Sequence, residues 1–167
     1  MKRKLDRDTK CLLYKTLIVP HIDYSSSIPF LCNSCEIDQL QRIQNVALRH
    51  ILLKDRYESI NNMLSELNVL NVRQQVYFNV LKILYKVEHD MMPKYMKSFI
   101  QYVRDAQPYL LRNNTQFRLP KYGTSFAQNS LFYKGIKMYN EMKELVNVND
   151  NFKEFKKSLT KYVRQKF

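Results

Sequence analysis

Apolar residues recur at three- and four-residue intervals through most of the chain, the period of a helix with one buried stripe. Leu12, Leu13, Leu17 and Ile18 mark the first such stripe, within a helix expected over 8–28 that Pro20 should kink or end near Val19. Ser25, Ser26, Ser27 and Pro29 form a break. A second helix is expected over 36–53, entered at Ser34 as N-cap, with Glu36 and Asp38 facing the positive dipole end. Its core face reads Ile37, Leu40, Ile43, Ala47, Ile51; Gln41, Arg42, Gln44, Asn45 and Arg49 read as outward. A short helix spans Ser59 to Leu67. The clearest helix covers 71–90, where Val72, Val76, Val80, Ile83, Leu84 and Val87 make one stripe and Pro93 bars further extension.

Between Val103 and Gln128 the periodicity stops. Pro108, Asn113, Asn114, Pro120 and Gly123 punctuate a long irregular loop, with short extended pieces expected at Tyr109–Leu111 and Phe117–Leu119. Helices then return over 130–146, with Leu131, Lys134/Gly135, Met138, Met142 and Leu145 on one side, and over 151–166, capped by Asp150 or Asn151. In the last, Phe152, Phe155, Leu159 and Tyr162/Val163 face inward and Lys153, Lys156, Lys157, Lys161, Arg164 and Lys166 face water. The expectation is a mainly α fold: a helical bundle over 1–102, an irregular loop over 103–129 and a basic helical pair over 130–167, forming one compact unit.

Composition sharpens this picture at two points. Only two glycines, Gly123 and Gly135, occur in 167 residues, too few for a phosphate-cradling glycine loop or a series of tight hairpins. The 28 Lys and Arg outweigh 15 Asp and Glu, a net charge of +13. That excess attracts phosphate polymers or anionic surfaces. No apolar run reaches the length of a membrane span. Three cysteines do not make a disulfide framework, so a reducing, intracellular compartment is expected, the nucleus included.

Candidate chemistry is sparse. Cys32 and Cys35 have the spacing of half a zinc site, but Cys11, His21, His50 and His89 lie scattered and supply no second pair. Partly buried free thiols and no metal are expected. His21 and Asp23 place an acid near an imidazole, yet no nucleophile motif accompanies them, and a polar cluster after Pro20 is the simpler reading. Two-metal nucleotidyl transfer needs paired carboxylates, and the chain has no Asp-Asp pair. What remains is cations interleaved with rings, as in Lys121-Tyr122, Tyr133-Lys134 and Lys161-Tyr162, a mixture that suits phosphate contact and base stacking. Arg7, Lys10 and Lys15 on the early helix, and Lys156, Lys157, Lys161 and Arg164 on the closing one, are the candidate contacts.

Four stretches carry a family resemblance. Leu13-Tyr14-Lys15-Thr16-Leu17-Ile18-Val19-Pro20-His21-Ile22-Asp23-Tyr24-Ser25-Ser26 is similar to an LYKxLVLPHLxYCSS pattern, and Leu40-Gln41-Arg42-Ile43-Gln44-Asn45-Val46-Ala47-Leu48-Arg49 to LQRLQNRAxR. Leu67 to Gln75 is similar to LGWLPVRQR, and Phe132-Tyr133-Lys134-Gly135-Ile136-Lys137-Met138-Tyr139-Asn140 to SFxYRGPKLWN. In this order the chain resembles the region after the catalytic palm in non-LTR retrotransposon reverse transcriptases of the jockey and chicken-repeat groups. It departs from them at Met138-Tyr139, where Leu-Trp is common, and at Ile136, where proline is frequent. The resemblance implies a thumb-like helical region without catalysis or cofactor of its own. Its partners would be the backbone of an RNA or DNA template–primer duplex and an upstream palm. A helical protein-interaction module, or a functionless remnant of a mobile element, is the alternative.

Overall fold

A computed structural model describes residues 5–24, 34–106, 115–146 and 151–167. The expected break at Ser25–Pro29, the extended piece at Tyr109–Leu111, Cys32 and the Asp150 cap lie outside the described residues. Among those described the fold is mainly helical with no strand; Tyr102 and Phe117 make an isolated antiparallel bridge. The helices are α1 (Arg7–Leu13), α2 (Val19–Tyr24), α3 (Ser34–Leu52), α4 (Ile60–Glu66), α5 (Val72–Glu88), α6 (Lys94–Lys97), α7 (Val103–Ala106), α8 (Ser125–Gln128), α9 (Ile136–Leu145) and α10 (Phe152–Lys166), with π-helical turns at Tyr14–Ile18 and Leu131–Gly135. Contacts divide the chain into two units, Met1–Val76 and Tyr77–Phe167.

In the first unit Asp6 caps α1 by accepting from the Thr9 amide. The early helix does not end at Val19. The π turn shifts the ladder by one residue, so the Val19 amide donates to the Tyr14 carbonyl, and the helix carries Pro20 onward into α2. The stripe that packs is Cys11, Tyr14, Ile18 and Ile22, not the leucines: Leu12 and Leu17 are 61% and 60% exposed. Tyr14 joins Leu48, Ile51, Met63 and Leu64 in one core cluster.

α3 is likewise rotated from its expected face by one position, about 100°. Gln44 and Asn45 are buried, whereas Ile43 is 57% exposed and Leu40 and Val46 also face out. The reason is a closed amide network. Gln44 Nε2 donates to Tyr14 Oη and to the Leu70 carbonyl, both at 2.8 Å, while Gln41 Nε2 donates to Gln44 Oε1 at 2.7 Å and Asn45 Oδ1 at 2.8 Å. The Val72 amide donates to Gln41 Oε1 at 2.9 Å. With its partners supplied, a buried amide loses little of what water gave it. Asn71 and Gln74 open α5 as a reciprocal capping pair: the Gln74 amide donates to Asn71 Oδ1 at 2.7 Å and the Asn71 amide to Gln74 Oε1 at 3.1 Å.

In the second unit α5, α9 and α10 enclose an aromatic core. The Tyr85 and Phe155 rings stack at 3.9 Å, and Phe117 stacks on Tyr139 at 5.4 Å. Val80, Leu81, Leu84, Ile136, Met142, Leu159 and Val163 are buried. The expected stripe of α5 is buried except for Ile83, which is half-buried; on α9 Leu145, expected inward, is exposed, and Tyr139 and Ile136 are buried. Gly135 is a close-approach position: a Cβ there would lie 3.2 Å from Val80 Cγ1. No glycine has positive φ. Helix ends use Leu53, Asn68 and Asp90 in the left-handed region instead. Each is followed by a Schellman bond: Lys54 to the Arg49 carbonyl, Val69 to that of Leu64, Met91 to that of Lys86.

Candidate nucleic-acid interface

The closing helix is built as the sequence pattern predicts. Phe155, Leu159, Tyr162 and Val163 recur at three- and four-residue steps and are buried. The intervening positions carry six cations against one acid, Glu154. Lys153, Lys156, Lys157, Lys161 and Arg164 are exposed. Lys166 is exposed as well but paired, donating to Glu141 Oε2 at 2.5 Å and Tyr162 Oη at 3.0 Å; burial works to lower its pKa, and these bonds outweigh it and raise it. Lys156 Nζ lies 4.8 Å from the Phe152 ring centroid, and Lys86 Nζ of α5 lies 5.5 Å from the same ring. Both ammonium groups therefore make cation–π contacts with the same ring. Pattern reading misses Lys86 beside this ring, because α5 delivers it from a distant part of the chain.

The early cations are placed differently. Arg7 pairs with Glu66 at 2.9 Å, and Lys10 Nζ donates to the His50 carbonyl at the end of α3 at 3.3 Å. Lys15 is exposed on the π turn. Thus two of these three candidates spend their donors within the first unit. Lys156, Lys157, Lys161 and Arg164 share one helix.

A polar cluster in the second unit fixes the segment before α8. Glu88 accepts from Tyr139 Oη at 2.6 Å and from Lys143 Nζ at 2.5 Å, and Lys143 also donates to the Thr115 carbonyl at 2.9 Å. Glu88 and Lys143 keep only 13% and 15% of their side-chain surface. Burial first, then the Glu88 charge, pushes the Tyr139 hydroxyl well above the usual phenol range, so it remains a protonated donor. Asn140 grips Phe117 on both sides: its Oδ1 accepts from the Phe117 amide at 2.9 Å and its Nδ2 donates to the Phe117 carbonyl at 2.8 Å. These groups are occupied in holding the backbone.

The other expected chemistry reads as structure. Asp23 accepts from Gln75 Nε2 at 2.7 Å, and His21 is exposed. Cys11 is half-buried and Cys35 exposed. Among the described residues no three of His, Cys, Asp or Glu gather where a metal could be held, and no helix is long and apolar enough to cross a membrane. No protein family, curated protein or solved structure matches the chain.

Proposed function

We propose that the chain is a non-catalytic, thumb-like segment of a non-LTR retrotransposon reverse transcriptase, which holds the sugar–phosphate backbone of RNA or DNA for a polymerase palm. The carrying observation is the exposed cationic side of α10, joined by Lys86 beside Phe152. Phosphates are spaced along a duplex, and a helix presenting cations over four turns can meet several at once without reading sequence. The family assignment is supported by the four sequence stretches. Three of them meet in the amide network of the first unit: Tyr14 from the first, Gln41, Gln44 and Asn45 from the second, Leu70 and Val72 from the third.

Binding should be tolerant of sequence and fall steeply with salt, each neutralised phosphate contributing a slope of about −0.9 in log K against log salt on duplex DNA. Titration of two unrelated duplexes across salt tests this. Equal affinities and a steep common slope are expected; no binding at ~50 mM salt contradicts the reading. The second reading, a protein-interaction module, is favoured by Leu12, Leu17, Leu40, Ile43 and Val46, large apolar side chains exposed on the first unit. Under it, binding to a partner protein would be lost on mutating these residues, and duplex affinity would be absent.

A further inference from the structure

The second unit also contains an open groove of about 360 Å³ that the backbone-binding reading does not use. Its walls come from Phe99 and Gln101 after α6, from Arg118, Lys121 and Tyr122 in the segment before α8, and from Phe132 on the second π turn. The walls are held firmly. The Val103 amide donates to the Gln116 carbonyl at 3.0 Å, the Arg118 amide to the Gln101 carbonyl at 2.7 Å, and Asn140 clamps Phe117 between them. Gln128 Nε2 ties the Tyr122 carbonyl at 3.0 Å.

The chemistry of the lining is selective. Phe99 is 59% exposed although its ring lies 5.4 Å from that of Phe132, so much of its apolar surface is open to a flat ligand. Arg118 and Lys121 are exposed cations on the same lining, and none of the lining residues is acidic. Gln101 adds an amide able both to donate and to accept. Rings for a planar π system, cations for a phosphate and an amide for a base edge together describe one nucleotide of a single strand. A duplex does not offer this, since its bases are stacked on one another.

We propose that this groove takes an unpaired nucleobase of a single strand, with its phosphate on Arg118 and Lys121. The inference rests on the nucleic-acid reading above and adds a base-dependent component to it. The test uses the full chain with a twelve-nucleotide oligothymidylate and an abasic strand of equal length, which keeps the phosphates and lacks the bases. The wild type should bind the oligothymidylate about tenfold more tightly, the effect of stacking one or two bases. Phe99→Leu and Tyr122→Leu keep bulk but remove the π faces, and should erase the difference while leaving helicity and abasic-strand affinity in place. Arg118→Gln with Lys121→Gln provides a second arm and should weaken the oligothymidylate several-fold. Equal binding of both strands by the wild type, or a base preference that survives the leucine variants, overturns the groove and leaves phosphate binding by α10 intact. A base preference that survives loss of the α10 charges supports the groove as a contact distinct from α10, and one that vanishes with those charges overturns it.

Discussion

The two units solve the packing problem in different ways. The first closes its core around amides: Gln44, buried to 2% exposure, ties Tyr14, Gln41 and the Leu70 carbonyl together, and apolar residues such as Ile43 and Leu17 are left facing out. The second closes around rings, with Tyr85 on Phe155 and Phe117 on Tyr139, and turns lysines outward. An amide network is directional, so it fixes which segments meet. An aromatic core is large and forgiving, and leaves the surface free to carry charge. The first unit thus fixes its register through hydrogen bonds, and the second carries its charge on the outer side of α10.

This contrast can be broken in order of expected effect. Val80 is fully buried in the second unit, and Val80→Asp places an unpaired carboxylate among Leu84 and Gly135. A loss of at least about 4 kcal/mol is expected, enough to unfold or aggregate the protein. A thermal melt matching the parent would show that the α5 core face is misassigned. Lys143→Met leaves Glu88 buried without its cation and should cost about 3–5 kcal/mol in urea unfolding. A cost under about 1 kcal/mol would mean that Glu88 is solvated or neutral. In the first unit Gln44→Ala strands the Leu70 carbonyl and the Gln41 amide, and about 2–3 kcal/mol should be lost. The smallest effect has the opposite sign. Leu53 has φ 52° and is 82% exposed, so Leu53→Gly removes strain without removing packing. It should raise stability by about 0.5–1 kcal/mol, and a lower melting temperature would deny the left-handed cap.

These same residues show where sequence pattern suffices. The faces of α5 and α10 were legible because each has a near-unbroken apolar stripe and, on α10, five lysines among fifteen residues fall between the apolar positions; the pattern and the burial coincide. The faces of α1 and α3 were not. Counting leucines selects Leu12 and Leu17, and counting polarity excludes Gln44, but burial followed hydrogen-bond satisfaction, which depends on Tyr14 and Leu70 arriving from other segments. Glycine scarcity argued correctly for helices, yet the left-handed ends were filled by Leu53, Asn68 and Asp90, whose cost local bonding absorbs. The candidate cations of α10 could be named from pattern alone. Lys86 beside Phe152, and the groove between Phe99 and Tyr122, arise only when distant segments converge, and no periodicity records that.

The central claim is that the second unit, through α10, holds nucleic-acid backbone. The most direct measurement compares two triple reversals of equal charge change in the full chain: Lys156, Lys157 and Lys161 to Glu, and Arg7, Lys10 and Lys15 to Glu. All six lie on helical turns, where Glu is tolerated, and the Arg7–Glu66 surface pair contributes little to stability. Duplex affinity is measured across salt for both, with helicity checked by circular dichroism. The α10 reversal should weaken binding on every sequence and flatten the salt slope by about three phosphate equivalents, while the early-helix reversal should lower affinity modestly with the slope nearly kept. Equal losses from both would mean that net charge alone attracts the duplex, and an unchanged slope after the α10 reversal would contradict the claim.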